Sequence, residues 1–262
     1  MKFYKMFRVE LSRLLDVKNL FFTLILSFLL IVMSLVSYSK AHTFQFADVY
    51  QVLTTFLNGG YYIELLLLPI GYFVVIQLYK DVENKFAFFL TVRANKFAYS
   101  LTKYIVGFLY AFFMFELVYN VTLLIGMSVL PAFHAEYYSS GHEMYEDLLL
   151  KTPFLYFELR ILYASLVMSF FVCFGMLITI VFQNEYVAAL SPFLAYILGE
   201  LLQFVSKIFP DHTYFPFIVK GAIRTSSSLG QSIAYILFFH GTCLIVVWIF
   251  YHILLKRRCY GK

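Results

Sequence analysis

The chain has 262 residues, of which 62% are hydrophobic and only 13% charged, against roughly 25% charged in a soluble domain. Apolar runs spread from end to end, leaving no segment for a sizeable soluble domain, so the composition reads as a polytopic membrane protein that would borrow any water-soluble catalytic domain from another chain. The net charge of +5 sits on Lys and Arg beside the apolar runs, as a membrane orientation signal does, and no nucleic-acid partner is expected. Cys173, Cys243 and Cys259 have no CxxC spacing and read as small core residues, neither a disulfide framework nor a zinc site.

Residues 2–16 are expected to form an interfacial helix. Phe3, Phe7, Leu11, Leu14 and Leu15 share one side, and Lys2, Lys5, Arg8, Arg13 and Glu10 lie mostly around the other, facing anionic headgroups. The first apolar run has no AxA-like cleavage site close behind it and is read as a retained span over 20–38, about 28 Å long at 1.5 Å per residue. A second span over 61–79 contains Glu64 and Pro69, and Pro69 is expected to kink it.

A charged and aromatic insertion follows, from Lys80 to Lys103. As a helix over about 81–96 it places Val82, Phe86, Phe89 and Leu90 on one face, with Asp81, Glu83, Asn84 and Lys85 mainly elsewhere, which makes it a docking surface for another protein. The third span, 104–130, carries Glu116 and Asn120 four apart on one face. The polar connection after it holds His134, Glu136, His142, Glu143 and Glu146 without an HExxH, and no metal site is expected. Spans over 161–182 and 186–206 are joined by a turn at Gln183-Asn184-Glu185 short enough to make an antiparallel hairpin. Residues 207–230 are too broken to span and too apolar to be a free loop, which fits a re-entrant or interfacial element. The sixth span, 231–255, ends at Lys256-Arg257-Arg258.

With the N-terminus inside, alternate connections divide Lys and Arg 14 inside to 6 outside, so both termini are expected in the cytoplasm. Glu116 and Glu200 are the ionisable residues deepest in the expected spans. Two readings stand for them: lining a pathway or dimer interface, or being neutralised by protonation or by neighbours such as Asn120 and Gln203.

This all-α layout resembles the membrane subunit of type-2 ATP-binding-cassette (ABC) exporters. In that family a coupling helix joins the second and third spans, often readable as an acidic residue, then leucine and arginine, then an aromatic and a lysine entering the next span. Glu83, Leu90, Arg93, Tyr99 and Lys103 stand here in that order. Lys85 and Phe86 replace a common glycine, and Thr91 and Val92 replace a common proline and serine.

The resemblance implies that Asp81, Glu83, Phe86, Phe89, Leu90 and Arg93 couple the chain to a separate ABC ATPase. There is no GxxxxGK[ST] loop, so ATP and Mg²⁺ would be bound by that partner, and no catalytic residue is expected in this chain. A second permease copy or paralogue would complete the pathway. The implied function is export of a hydrophobic or amphipathic substrate across a bacterial plasma membrane, first of all a peptide such as a bacteriocin or toxin-like peptide. Two rivals need no ATPase: a membrane immunity protein, and an intramembrane enzyme using Glu116 and Glu200.

Overall fold

A computed structural model describes residues 3–42, 48–50, 52, 63–84, 95–131, 151–207 and 229–260. Every regular element among them is helical: α1 (Phe3–Leu14), α2 (Val17–His42), a 3₁₀ turn (Ile63–Leu66) running into α3 (Leu67–Glu83), α4 (Lys96–Val129), α5 (Pro153–Phe182), α6 (Glu185–Lys207) and α7 (Leu229–Tyr260). Among the described residues four stretches are long and apolar enough to cross a membrane: Val17–Ser37, Glu64–Glu83, Lys96–Ser128 and Pro153–Phe182. Residues 85–94, 132–150 and 208–228, which hold most of the expected docking helix, the His/Glu-rich connection and the expected re-entrant element, lie outside the described residues.

Two helices start about two turns earlier than the apolar pattern predicts. α4 begins at Lys96, not at 104, because Asn95 stays extended and its side chain accepts a 3.0 Å hydrogen bond from the Phe97 amide, an N-cap that lets KFAYSLTK form the first two turns. α5 begins at Pro153, not at 161, where a proline costs no hydrogen bond. At 34 residues α4 is about 50 Å long, well beyond a hydrocarbon core of roughly 30 Å.

α5 is the axis of the bundle. It packs against α3, α4, α6 and α7, and 72% of its apolar window is buried, against 18% for α2, which lies at the periphery. Close packing depends on small residues where α3, α5 and α6 meet. A Cβ added to Gly71 would lie 2.6 Å from Pro192 Cγ, and one on Gly175 would lie 2.7 Å from the Pro192 backbone nitrogen. In a membrane, where apolar burial drives helix association weakly, such close backbone approach supplies the contact.

The prolines reverse one expectation. Pro69 falls in the first turn of α3, immediately after the 3₁₀ turn. Its missing N–H would have no intrahelical acceptor there, so a kink has no cause at that point. Pro192 is the proline inside a helix, and it deprives the Ala188 carbonyl of its usual donor. The Ser191 hydroxyl lies 2.8 Å from that carbonyl and 2.9 Å from Thr179 Oγ1, which itself lies 3.0 Å from the Gly175 carbonyl. Two hydroxyl hydrogens serve these three contacts.

The α5–α6 hairpin forms as predicted. Gln183 takes the left-handed conformation, with φ 46°, to end α5. Asn184 caps α6 by accepting from the Tyr186 and Val187 amides at 2.9 and 3.1 Å. Arg258 on α7 donates to the Val181 carbonyl at 2.9 Å, placing a cation at the C-terminal end of α5.

Candidate functional site

Among the described residues the strongest concentration of polar chemistry lies at one end of the bundle, where α3 stops and α4 starts. Each of three helices contributes side chains from adjacent turns: Glu10 and Arg13 from α1, Gln77 and Asp81 from α3, Tyr99 and Lys103 from α4. Spacings of three and four residues put each pair on one helical face.

Lys103 Nζ lies 2.6 Å from Glu10 Oε2 and 2.5 Å from Asp81 Oδ2. The Arg13 guanidinium donates to both Asp81 oxygens, at 2.9 and 3.2 Å, and to Glu10 at 3.2 Å. Tyr99 Oη donates to Asp81 Oδ2 at 3.3 Å, and Lys103 donates to Gln77 Oε1 at 3.4 Å. Glu10, Asp81 and Lys103 are buried, while Arg13 remains one-third exposed at its side chain.

Two carboxylates and two cations thus share one buried corner. Burial penalises each charge separately, and alternation of sign with well-aligned donors offsets that penalty. For Arg13 burial works against the charge, but the hydrogen bonds and charges of Asp81 and Glu10 outweigh it and raise the guanidinium's pKa above its ordinary value.

This geometry corrects the sequence reading of α1. Glu10 and Arg13 were expected to face headgroups, yet they point into the protein, because Met6, Glu10 and Leu14 form the buried stripe of the helix and Lys103 and Asp81 stand opposite. Asp81 likewise lies inside, in the last turn of α3, and not on the outer face of a separate helix beginning at 81. Glu83 is exposed and accepts from Tyr79 Oη at 3.0 Å. Phe86, Phe89, Leu90 and Arg93 lie outside the described residues.

The sequence reading placed Lys103 at the entry to the next span without its partners, and it missed Glu10 as a buried group. A signal was present: Glu10 interrupts the apolar Met6 to Leu14 stripe at i, i+4, i+8, and a charge in such a stripe calls for a counter-ion.

Toward the other end of α4, Asn120 Nδ2 donates to Glu116 Oε2 at 3.1 Å, as the four-residue spacing predicts. Glu116 Oε1 is buried without a hydrogen-bond partner among the described residues. Glu200 lies on α6, and its side chain is outside the described residues. Among the described residues no group of three His, Cys, Asp or Glu side chains could hold a metal ion. His252 packs on Trp248 and Phe97, and its Nδ1 is 2.7 Å from Ser100 Oγ.

No protein-family model matches the chain, and no curated protein or solved structure is significantly similar to it.

Proposed function

We propose that this chain is the membrane-spanning permease subunit of an ATP-driven exporter of the type-2 ABC kind, with six spans and both termini on the cytoplasmic side of a bacterial plasma membrane. The observation that carries the reading is the ion cluster itself. Residues 85–94 are bracketed by two helix ends that Asp81, Lys103, Glu10 and Arg13 tie into one corner. A partner pressing on 85–94 would therefore load α3 and α4 directly.

In this reading Glu83, Phe86, Phe89, Leu90 and Arg93 meet a separate ATPase, which holds ATP and Mg²⁺, and Asp81 anchors the contact from within. Alternating access then follows from movement of α3 and α6, the second and fifth spans, which already meet at Gly71 and Pro192. A second permease copy or paralogue completes the pathway. The dense aromatic content, 21% of residues, favours a hydrophobic or amphipathic cargo, and an exported peptide of the bacteriocin or toxin-like class is the first candidate.

Copurification from native membranes in mild detergent tests the partnership. An ATPase in stoichiometric amount is the expected result, and its absence would remove the exporter reading in favour of an immunity protein or intramembrane enzyme. In the reconstituted complex, Glu83→Gln and Arg93→Gln should uncouple ATP hydrolysis from transport while membrane insertion is retained. Unchanged transport and ATPase stimulation in both variants would take 85–94 out of the mechanism.

A further inference from the structure

The four charges at the corner of α1, α3 and α4 resolve into two balanced pairs. Glu10 and Arg13 lie one turn apart on α1 and meet each other at 3.2 Å. Asp81 and Lys103 meet at 2.5 Å between the end of α3 and the start of α4. With α1 in place the pairs also cross, Lys103 to Glu10 at 2.6 Å and Arg13 to Asp81 at 2.9 Å.

Deleting one member of such a cluster strands a charge in a buried setting, which is strongly unfavourable. Separating the pairs strands none, because each charge leaves with a counter-ion. The apolar part of the attachment is confined to one stripe and one neighbour: α1 packs chiefly on α4, its fully buried apolar side chains are Met6 and Leu14, and Phe7 and Leu11 pack partly buried against the core. Its opposite face is open, with Tyr4, Lys5 and Arg8 exposed. Elements with few buried apolar contacts open separately from the core.

We infer that α1 is a detachable latch, which leaves and re-engages the corner between α3 and α4 as a unit, its four charges separating into the self-neutral pairs Glu10–Arg13 and Asp81–Lys103. Docked, α1 braces the two helix ends beside residues 85–94. Undocked, it leaves them joined by Asp81 and Lys103. The inference stands on this geometry and does not require the exporter reading.

Thiol protection in the full chain, embedded in lipid nanodiscs so that both faces are accessible, tests it. Met6→Cys is introduced on a background of Cys243→Ala and Cys259→Ala, with native Cys173, fully buried on α5, as internal reference. With the four charges intact, a soluble maleimide is expected to label position 6 slowly while Cys173 stays protected. Glu10→Gln with Arg13→Gln, which removes the α1 pair and leaves the other balanced, should abolish protection at position 6 and leave Cys173 protected. Where that double variant does not fold, Leu14→Ala should give the same separation by weakening the apolar part of the contact. Unchanged protection at position 6 in the folded variant would show that the charges do not hold α1. Simultaneous reaction of position 6 and Cys173 in the otherwise native chain would make α1 part of the cooperative core. Either result overturns the latch.

Discussion

Lys103 on α4 forms an ion pair with Glu10 on α1 at 2.6 Å, both side chains buried. The same ammonium meets Asp81 at 2.5 Å, so one cation serves two carboxylates, with Arg13 as the second source of positive charge. Lys103→Met should therefore be among the most damaging substitutions in the chain. It leaves two buried carboxylates facing one partly exposed guanidinium, a loss of about 3–5 kcal/mol by analogy with other broken buried pairs. Arg13→Gln should cost less, since water reaches the site of the missing charge. Thermal unfolding in detergent, followed by reaction of Cys173 with a thiol-sensitive dye, orders the two; equal midpoints would contradict the assigned burial.

At the junction of α3, α5 and α6, Gly71→Ala puts a methyl group 2.6 Å from Pro192 Cγ and 3.0 Å from its Cβ. A pyrrolidine ring cannot rotate away, so overpacking should destabilise by about 1–3 kcal/mol. Gly126→Ala is the control, because its new methyl would meet Val49 at an ordinary 3.7 Å. The same thermal assay should show a lowered midpoint for the first variant and none for the second.

Ser191 and Pro192 should prove non-additive. The Ser191 hydroxyl takes up the Ala188 carbonyl that Pro192 leaves without a backbone donor, so Ser191→Ala alone should cost about 1 kcal/mol for a buried acceptor left unsatisfied. Pro192→Ala restores a backbone N–H, and in that background Ser191→Ala should be nearly neutral. A double-mutant cycle measures the coupling. Additive effects would mean that the hydroxyl serves Thr179 and not the helix.

The difference between what could and could not be read from the sequence is one of range. The α5–α6 hairpin was legible because Gln183 and Asn184 complete it with contacts a few residues away, and Glu116–Asn120 was legible because one helical turn joins them. The ion corner was not, since Arg13 and Asp81 are separated by 68 residues and nothing local distinguishes a buried Lys103 from a solvated one. The start of α4 was misplaced for a different reason: the span was drawn from the apolar run beginning at 104, and the local Asn95 N-cap that starts the helix at Lys96 was not weighed. Pro69 was weighed by its position within an apolar run, whereas the 3₁₀ entry puts it in the first turn of α3, and Pro192, which lies inside α6, went unweighed.

Glu116 separates the two readings open for carboxylates within the spans. Its Oε2 accepts from Asn120, while its Oε1 is buried without a partner among the described residues. A group present only to be tolerated should be replaceable by its neutral isostere: Glu116→Gln keeps an oxygen for Asn120 and removes the need to hold a carboxyl in an apolar segment, a burden of about 2.5–3.5 kcal/mol for a charged group on insertion scales. Stability of this variant should accordingly match or exceed that of the native chain, whereas Glu116→Leu leaves the Asn120 amide without its acceptor and should lose stability. Under the proposed exporter function, transport by the reconstituted complex then assigns the role: a stable Glu116→Gln variant that no longer moves cargo would mark Glu116 as part of the pathway, and one that transports normally would mark it as a packed and neutralised residue of α4.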